Sequence, residues 1–159
     1  MGGNEKGDGV KVRAACFEDV GAITQLDKEA NTHPWGEKLI KEALVSRHNW
    51  VIEGSENGQL LAWLTASRIL DESELELIVV APSARRQGYA HKLMLHWLSE
   101  MMTASVSHFI LEVRESNQAA ISLYLQMGFV QVGLRKHYYS SPAEHALLMS
   151  RLPEDHIDV

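Results

Sequence analysis

Arg85-Arg86-Gln87-Gly88-Tyr89-Ala90 stands between an apolar strand-like run (Leu75 to Val80) and a helix-like run (His91 to Met102). No other stretch restricts the fold as tightly. A strand that turns straight into a helix, with another strand beyond it, predicts a parallel crossover, and such crossovers are right-handed. The turn also carries chemistry. Main-chain N–H groups at a helix N-terminus, beside arginines, suit a phosphate group. Gly88 lets backbone approach a ligand closely, and the small Ala90 keeps the following turn uncrowded. A glycine between strand and helix also serves simply as a turn, so the stretch needs support from elsewhere in the chain.

At 159 residues the chain has room for one compact domain, and its 45% hydrophobic content is enough for a core. A net charge of −6 disfavours a nucleic-acid or anionic-membrane partner and suits a basic one, such as a cationic peptide. Cys16 is the single cysteine, so no internal disulfide forms, and we expect it packed near the first strand. The eight histidines show no metal-ligand spacing, so no metal is expected. No run is long enough for a membrane span, and no signal-peptide pattern opens the chain. Lys6 stands where myristoylation after Gly2 wants Ser or Thr. A cytoplasmic protein is expected, and the sequence leaves its oligomeric state open.

Residues 1–9 are rich in glycine and charge and read as a flexible tail ahead of a single domain over 10–159. Periodicity predicts a strand at Val10 to Ala14, a helix from Val20 to about Ala30 capped by Asp19, and a helix from Glu37 to Arg47. Strands follow at Trp50 to Glu53 and Leu60 to Leu70, joined through Glu56-Asn57-Gly58, a strong hairpin signal. A strand at Glu74 to Val80, a helix from about Arg86 to Thr103 and a strand at Phe109 to Arg114 form the crossover. A helix from Gln118 to Met127, stopped by Gly128, precedes strands at Phe129 to Leu134 and Ala146 to Leu152. The order β-α-α-β-β-β-α-β-α-β-β makes an α+β domain with a mixed central sheet flanked by helices.

Residues 117–129 carry a second motif. Asn117 opens a helix and Tyr124 follows seven residues later, so two turns set both on one face, with small Ala120 between them. Each residue has a plain structural reading: a cap, a core aromatic, a helix stop. Together, Asn-x-x-Ala-x-x-x-Tyr-x-x-x-Gly-Phe and the upstream Arg-x-x-Gly-x-Ala turn resemble the GCN5-related N-acetyltransferases, the GNAT family, over nearly all of residues 10–152. The resemblance implies the acyl-CoA N-acyltransferase fold and acetyl-CoA as cosubstrate. It carries the acetyl-CoA contacts to Ile78, Val79 and Val80, to Arg86, Gln87, Gly88, Tyr89, Ala90 and His91, and to Asn117.

Amide formation needs a neutral amine, a polarised thioester carbonyl and a proton for the departing sulfur. Glu112 projects opposite Leu111 and Val113 and can take a proton from the ammonium, directly or through water. Its plain alternative is a solvated or salt-bridged strand residue, with Arg114 as a candidate partner. The Tyr124 phenol, at ~10, is close enough to a thiol at ~8.5 to protonate the sulfur. Backbone N–H groups of the fourth strand can polarise the thioester oxygen. In the family, the residues matching Glu112 and Tyr124 are the catalytic acceptor and donor.

His33-Pro34-Trp35 with Glu37-Lys38, Leu111 to Arg114 with Ser116-Asn117, and Arg135 to Tyr139 further resemble the branch that acetylates the alanine end of a small-subunit ribosomal protein. That resemblance implies a ribosomal-protein N-terminal peptide as substrate. Ala90 departs from the glycine common there, a small-for-small change. Glu76 either faces the acceptor, attracting basic residues, or is merely exposed; Tyr138-Tyr139 either line a peptide channel or are strand aromatics. Near pH 7, deprotonating an α-amine costs about 1 kcal/mol against about 4.6 kcal/mol for lysine, which favours an N-terminus. A lysine or small-amine acetyltransferase, and a non-catalytic acyl-CoA-binding regulator, are the alternative readings.

Overall fold

The computed structural model describes residues 10–55, 57–140 and 142–152. The expected N-terminal tail, and Glu56 of the expected hairpin turn, lie outside the described residues. In chain order the elements are β1 (Val10–Ala14), α1 (Val20–Ala30), α2 (Glu37–Ser46), β2 (His48–Gly54), β3 (Leu60–Ile69), β4 (Glu72–Val80), α3 (Tyr89–Thr103), β5 (His108–Arg114), α4 (Gln118–Gln126), β6 (Val130–Ser140) and β7 (Ala143–Arg151). The strands form a seven-stranded sheet in the order β1-β2-β3-β4-β5-β7-β6. β4 and β5 pair in parallel, as a strand–helix–strand crossover requires, while β5–β7 and β6–β7 are antiparallel. This is the mixed, helix-flanked α+β sheet that the sequence predicts.

The described residues fall into two compact units, one from those up to Ala66 together with Leu77–Trp97, the other from Ser67–Glu76 together with those from Leu98 onward. In the first, Ile23 and Leu26 of α1 and Ile40 and Ala43 of α2 are buried at helical spacing, and Val51, Ile52, Trp63 and Leu64 are buried on β2 and β3. Two of its buried polar side chains, Asn49 and Asp27, are satisfied. Asn49 donates to the Ala43 carbonyl and accepts from Trp63 Nε1, both at 2.9 Å. Asp27 takes the Trp35 N–H at 2.7 Å and Asn31 Nδ2 at 2.9 Å, fixing the loop that the residues before Pro34 open.

Two details of this unit differ from expectation. Asp19 does occupy the N-cap position of α1, but its side chain caps nothing there. It pairs with Arg13 at 2.9 Å and accepts the Cys16 N–H at 2.8 Å, and Arg13 holds its carboxyl below the usual range. Cys16 is exposed rather than packed, because β1 ends at Ala14 and the chain turns into a 3₁₀ turn at Phe17–Asp19 before the sheet can cover it.

In the second unit β5 alternates cleanly: Phe109, Leu111 and Val113 are buried, and Ile110, Glu112 and Arg114 face the other way. Helix α4 ends through Gly128 at φ +93°, with the Gly128 N–H on the Leu125 carbonyl at 3.1 Å and the Phe129 N–H on Tyr124 at 3.0 Å. Strand β6 runs well past Leu134, where apolar alternation stops, because its ladder to β7 resumes at Tyr139 after a bulge. His137 sits in that bulge at φ +54°, and its N–H is accepted by His145 Nδ1 at 2.9 Å.

Candidate active site

The chain leaves β4 through Ile78 and Val80, both half-buried, and Val79, which is buried. The Ala81 N–H then bonds the Leu61 carbonyl at 2.8 Å, and a 3₁₀ turn over Pro82–Ala84 follows. Arg85 is anchored to the Ala30 carbonyl at 3.2 Å. Helix α3 starts three residues later than its expected boundary at Arg86, since Arg86 and Gly88 take left-handed φ values of +67° and +78°. For Arg86 that conformation costs about 1–2 kcal/mol, so the surroundings must hold it there.

Lys92 N–H to the Gly88 carbonyl, at 2.9 Å, is the first bond of the helix, so the amides of residues 88–91 have no acceptor within it. A Cβ added to Gly88 would meet nothing within 4 Å. Glycine is therefore demanded by φ, and open space lies where a ligand would approach. Arg86, Gln87 and His91 are exposed and Ala90 is half-buried, while Tyr89 is buried with its hydroxyl donating to Gln87 Oε1 at 3.1 Å. A basic, open turn with helix-end amides fits a pyrophosphate.

In the second unit Glu112 does have a cationic partner, but it is not Arg114. Arg135 Nη1 lies 2.7 Å from Glu112 Oε2, while Arg114 bonds Glu144 at 3.4 Å and the Pro142 carbonyl at 3.1 Å. The register explains the exchange. Glu112 lies opposite Leu148 and Arg114 opposite Ala146 on β7, and Arg135 of β6 also lies opposite Ala146. Arg135 thus reaches Glu112 across an intervening strand, a span of ~10 Å that calls for a long side chain. A pair this exposed, at 50% and 22%, contributes little to stability.

Carboxylates crowd the same surroundings. Glu72, Glu74 and Glu76 alternate with the buried Ser73 and Leu75 along β4. Burial, then Glu112, Glu76 and Glu72, push the Glu74 carboxyl up, and Arg135 partly offsets them. The parallel ladder ends at Leu75–Leu111, one residue before Glu76 and Glu112.

Tyr124 is 6% exposed and lies 6.2 Å from the Phe129 ring. Burial, and next the nearby Tyr139, push its phenol up to about 12. The phenol thus stays protonated, and the gap to a free thiol widens to roughly 5 kcal/mol. A sulfur departing in equally dry surroundings is destabilised as a thiolate too, which narrows that gap. Tyr139 is itself pushed up, by burial first and Glu112 second, and lies 4.1 Å beneath the Arg114 guanidinium. Tyr139 therefore lies within electrostatic reach of both Tyr124 and Glu112. Asn117 is the N-cap of α4, its Oδ1 accepting the Ala120 N–H at 3.2 Å.

This unit accordingly assembles Glu112, Tyr124, Tyr139, Arg135 and Glu74. Sequence reasoning singled out the first two as site residues. The 135–139 cluster of basic and aromatic residues was the signal for Tyr139 and Arg135, but nothing in it named Glu112 as their neighbour. No described helix is long and apolar enough to cross a membrane.

The model of the acetyltransferase (GNAT) family matches residues 19–129. Ribosomal protein bS18-alanine N-acetyltransferase of Escherichia coli (strain K12) is 33% identical over 135 residues, 83% of this chain and 90% of the relative. The Haemophilus ducreyi protein of the same name is 29% identical over 136 residues, 84% and 93% of the two chains. The crystal structure of the E. coli ribosomal-protein-S18-alanine N-acetyltransferase superposes with a TM-score of 0.84 at 30% identity, covering 90% of this chain and 93% of that one. Ard1 from Thermoplasma volcanium shares the fold, with a TM-score of 0.81 at 24% identity over 91% of this chain. The chain belongs to the GNAT acetyltransferase family and is an acetyl-CoA-dependent N-acetyltransferase.

Proposed function

We propose that this enzyme acetylates a protein N-terminus, the N-terminal alanine of ribosomal protein bS18, with Glu112 as proton acceptor and Tyr124 as proton donor. The observation that carries the acceptor is the 33% identity to a bS18-alanine N-acetyltransferase across 90% of that relative. The single family model spanning residues 19–129 supports reading both compact units as one catalytic domain.

The amine nitrogen attacks the thioester carbonyl as its ammonium proton passes to Glu112, directly or through a water. The C–S bond breaks, the nitrogen gives up its second proton to solvent, and the Tyr124 hydroxyl proton goes to the sulfur, leaving an amide and a free thiol. Solvent then takes the proton from Glu112 and restores the one on Tyr124. Ile78, Val79 and Val80 offer main-chain N–H groups to the carbonyl oxygen. Arg86, Gln87, Gly88, Tyr89, Ala90 and His91 hold the pyrophosphate through helix-end amides, and Asn117 contacts the pantetheine arm.

Labelled acetyl-CoA incubated with the bS18 N-terminal peptide should place the acetyl group on the first residue, as fragmentation by mass spectrometry would reveal. Label found on lysine side chains alone would overturn the acceptor.

A further inference from the structure

We propose that Arg135 is a displaceable stand-in for the acceptor's ammonium, its guanidinium filling the place on Glu112 that a substrate's protonated amine takes. The inference rests on the reading of Glu112 as base. A carboxylate held at 2.7 Å by a guanidinium has that oxygen occupied, and arginine never yields its own proton. Two cations at one carboxylate repel each other, so Glu112 receives an ammonium most readily once Arg135 has moved aside. The ion pair therefore belongs to the resting enzyme.

Three features make the guanidinium easy to displace. It is half exposed, so water already competes for it. Arg135 is the last residue of β6 in register with β7 before the ladder resumes at Tyr139, and the intervening His137 is at φ +54°. Its guanidinium also lies 4.2 Å from the Tyr138 ring centroid, so on leaving Glu112 it keeps an aromatic face.

The surrounding charge explains why a cation must be replaced by a cation. Glu112, Glu76 and Glu72 all act electrostatically on Glu74, and the Arg135 guanidinium partly offsets them there. Removing positive charge from among them without a substitute raises carboxylate repulsion. An incoming ammonium makes that exchange without loss, and it brings the proton that chemistry removes. A neutral or already acetylated N-terminus does not. The exchange thus selects cationic acceptors and keeps the base covered between turnovers.

Calorimetric titration with coenzyme A present, so that no transfer occurs, tests this directly. Arg135→Ala should bind the free-amine bS18 peptide about fivefold more tightly than wild type, and the N-acetylated peptide no more tightly. In turnover the acceptor KM should fall by the same factor, with the acetyl-CoA KM within about twofold of wild type. Arg135→Lys, which keeps charge and most of the reach, should stay close to wild type.

Free-amine binding that is unchanged or weaker in Arg135→Ala would overturn the proposal, as would an equal gain for the acetylated peptide or a lysine variant matching the alanine one. A wild-type enzyme that acetylates polyamines or lysine but not the peptide instead overturns the acceptor assigned above. The displacement is then tested in the same way on that amine.

Discussion

The turn around Gly88 and the cluster around Glu112 build their chemistry from opposite materials. The first is main chain: left-handed φ values at Arg86 and Gly88, helix-end amides, and exposed side chains. The second is side chain: Glu112 on Arg135, Arg114 over Tyr139, and a Tyr124 phenol that burial pushes up to about 12. A main-chain site tolerates change in its side chains and fails when its dihedral angles do. A side-chain site fails one functional group at a time, often without loss of fold.

The largest test of that contrast is Tyr124→Phe. It removes one oxygen from a buried ring, so stability should hold while kcat falls about 10²- to 10⁴-fold, with acetyl-CoA affinity unchanged in a direct titration. Unchanged kcat would remove the donor role. The raised phenol has a further consequence. The folded state keeps this proton above the ordinary tyrosine value of ~10, so the stability that Tyr124 contributes is intact below ~10 and lost as pH climbs through about 12. Wild-type denaturation midpoints should therefore fall across that window more steeply than those of Tyr124→Phe.

Gly88→Ala is the matching attack on the main-chain site. Its Cβ meets nothing in the free protein, so the penalty comes from φ +78° and from the space a ligand would need. Acetyl-CoA dissociation constants should rise about tenfold or more. Gln87→Ala should change them by less than about threefold if amides are the ligands. A larger loss at Gln87 than at Gly88 would break the comparison.

The same division governs what could be read from the chain. Main-chain features announce themselves locally. Asn57 and Gly58 take φ of +66° and +63°, as an Asn-Gly hairpin turn demands, and Gly128 stops α4 as its position implies. Element order and mixed sheet followed from periodicity, with boundaries shifting by a few residues. Side-chain partnerships did not announce themselves. Arg114 lies two residues from Glu112 in sequence, yet Arg135, 23 residues away, holds it, because only the β5–β7–β6 register brings them together. The bulge that carries β6 on to Ser140 was hidden for the same reason: basic and aromatic residues break the apolar alternation that marks a strand.

Gly128→Ala carries the comparison to a place where dihedral angle and side chain meet. At φ +93° an L-residue is strained, and the new Cβ would lie 2.9 Å from Arg151 Nε, which bonds the Met127 carbonyl at 2.8 Å. The loss should be about 1–3 kcal/mol, read as a lowered denaturation midpoint. A loss no larger than that of an exposed helix substitution would mean that Arg151 simply swings away.

The smallest effect sharpens the side-chain half. Glu74 sits among Glu112, Glu76 and Glu72, and burial and their charges push its carboxyl up, so the folded state holds that proton more tightly than the unfolded chain does. Stability must then fall as pH rises from the ordinary carboxylate value through the raised one, and at neutral pH Glu74 is a net cost. Glu74→Gln should recover that cost near pH 7, by no more than about 1 kcal/mol because the group is partly exposed. The gain should vanish in acid, where the native carboxyl is protonated as well. Chemical denaturation of both proteins at pH 7 and pH 4 measures it. A gain of equal size at both values would place its origin in packing rather than in charge.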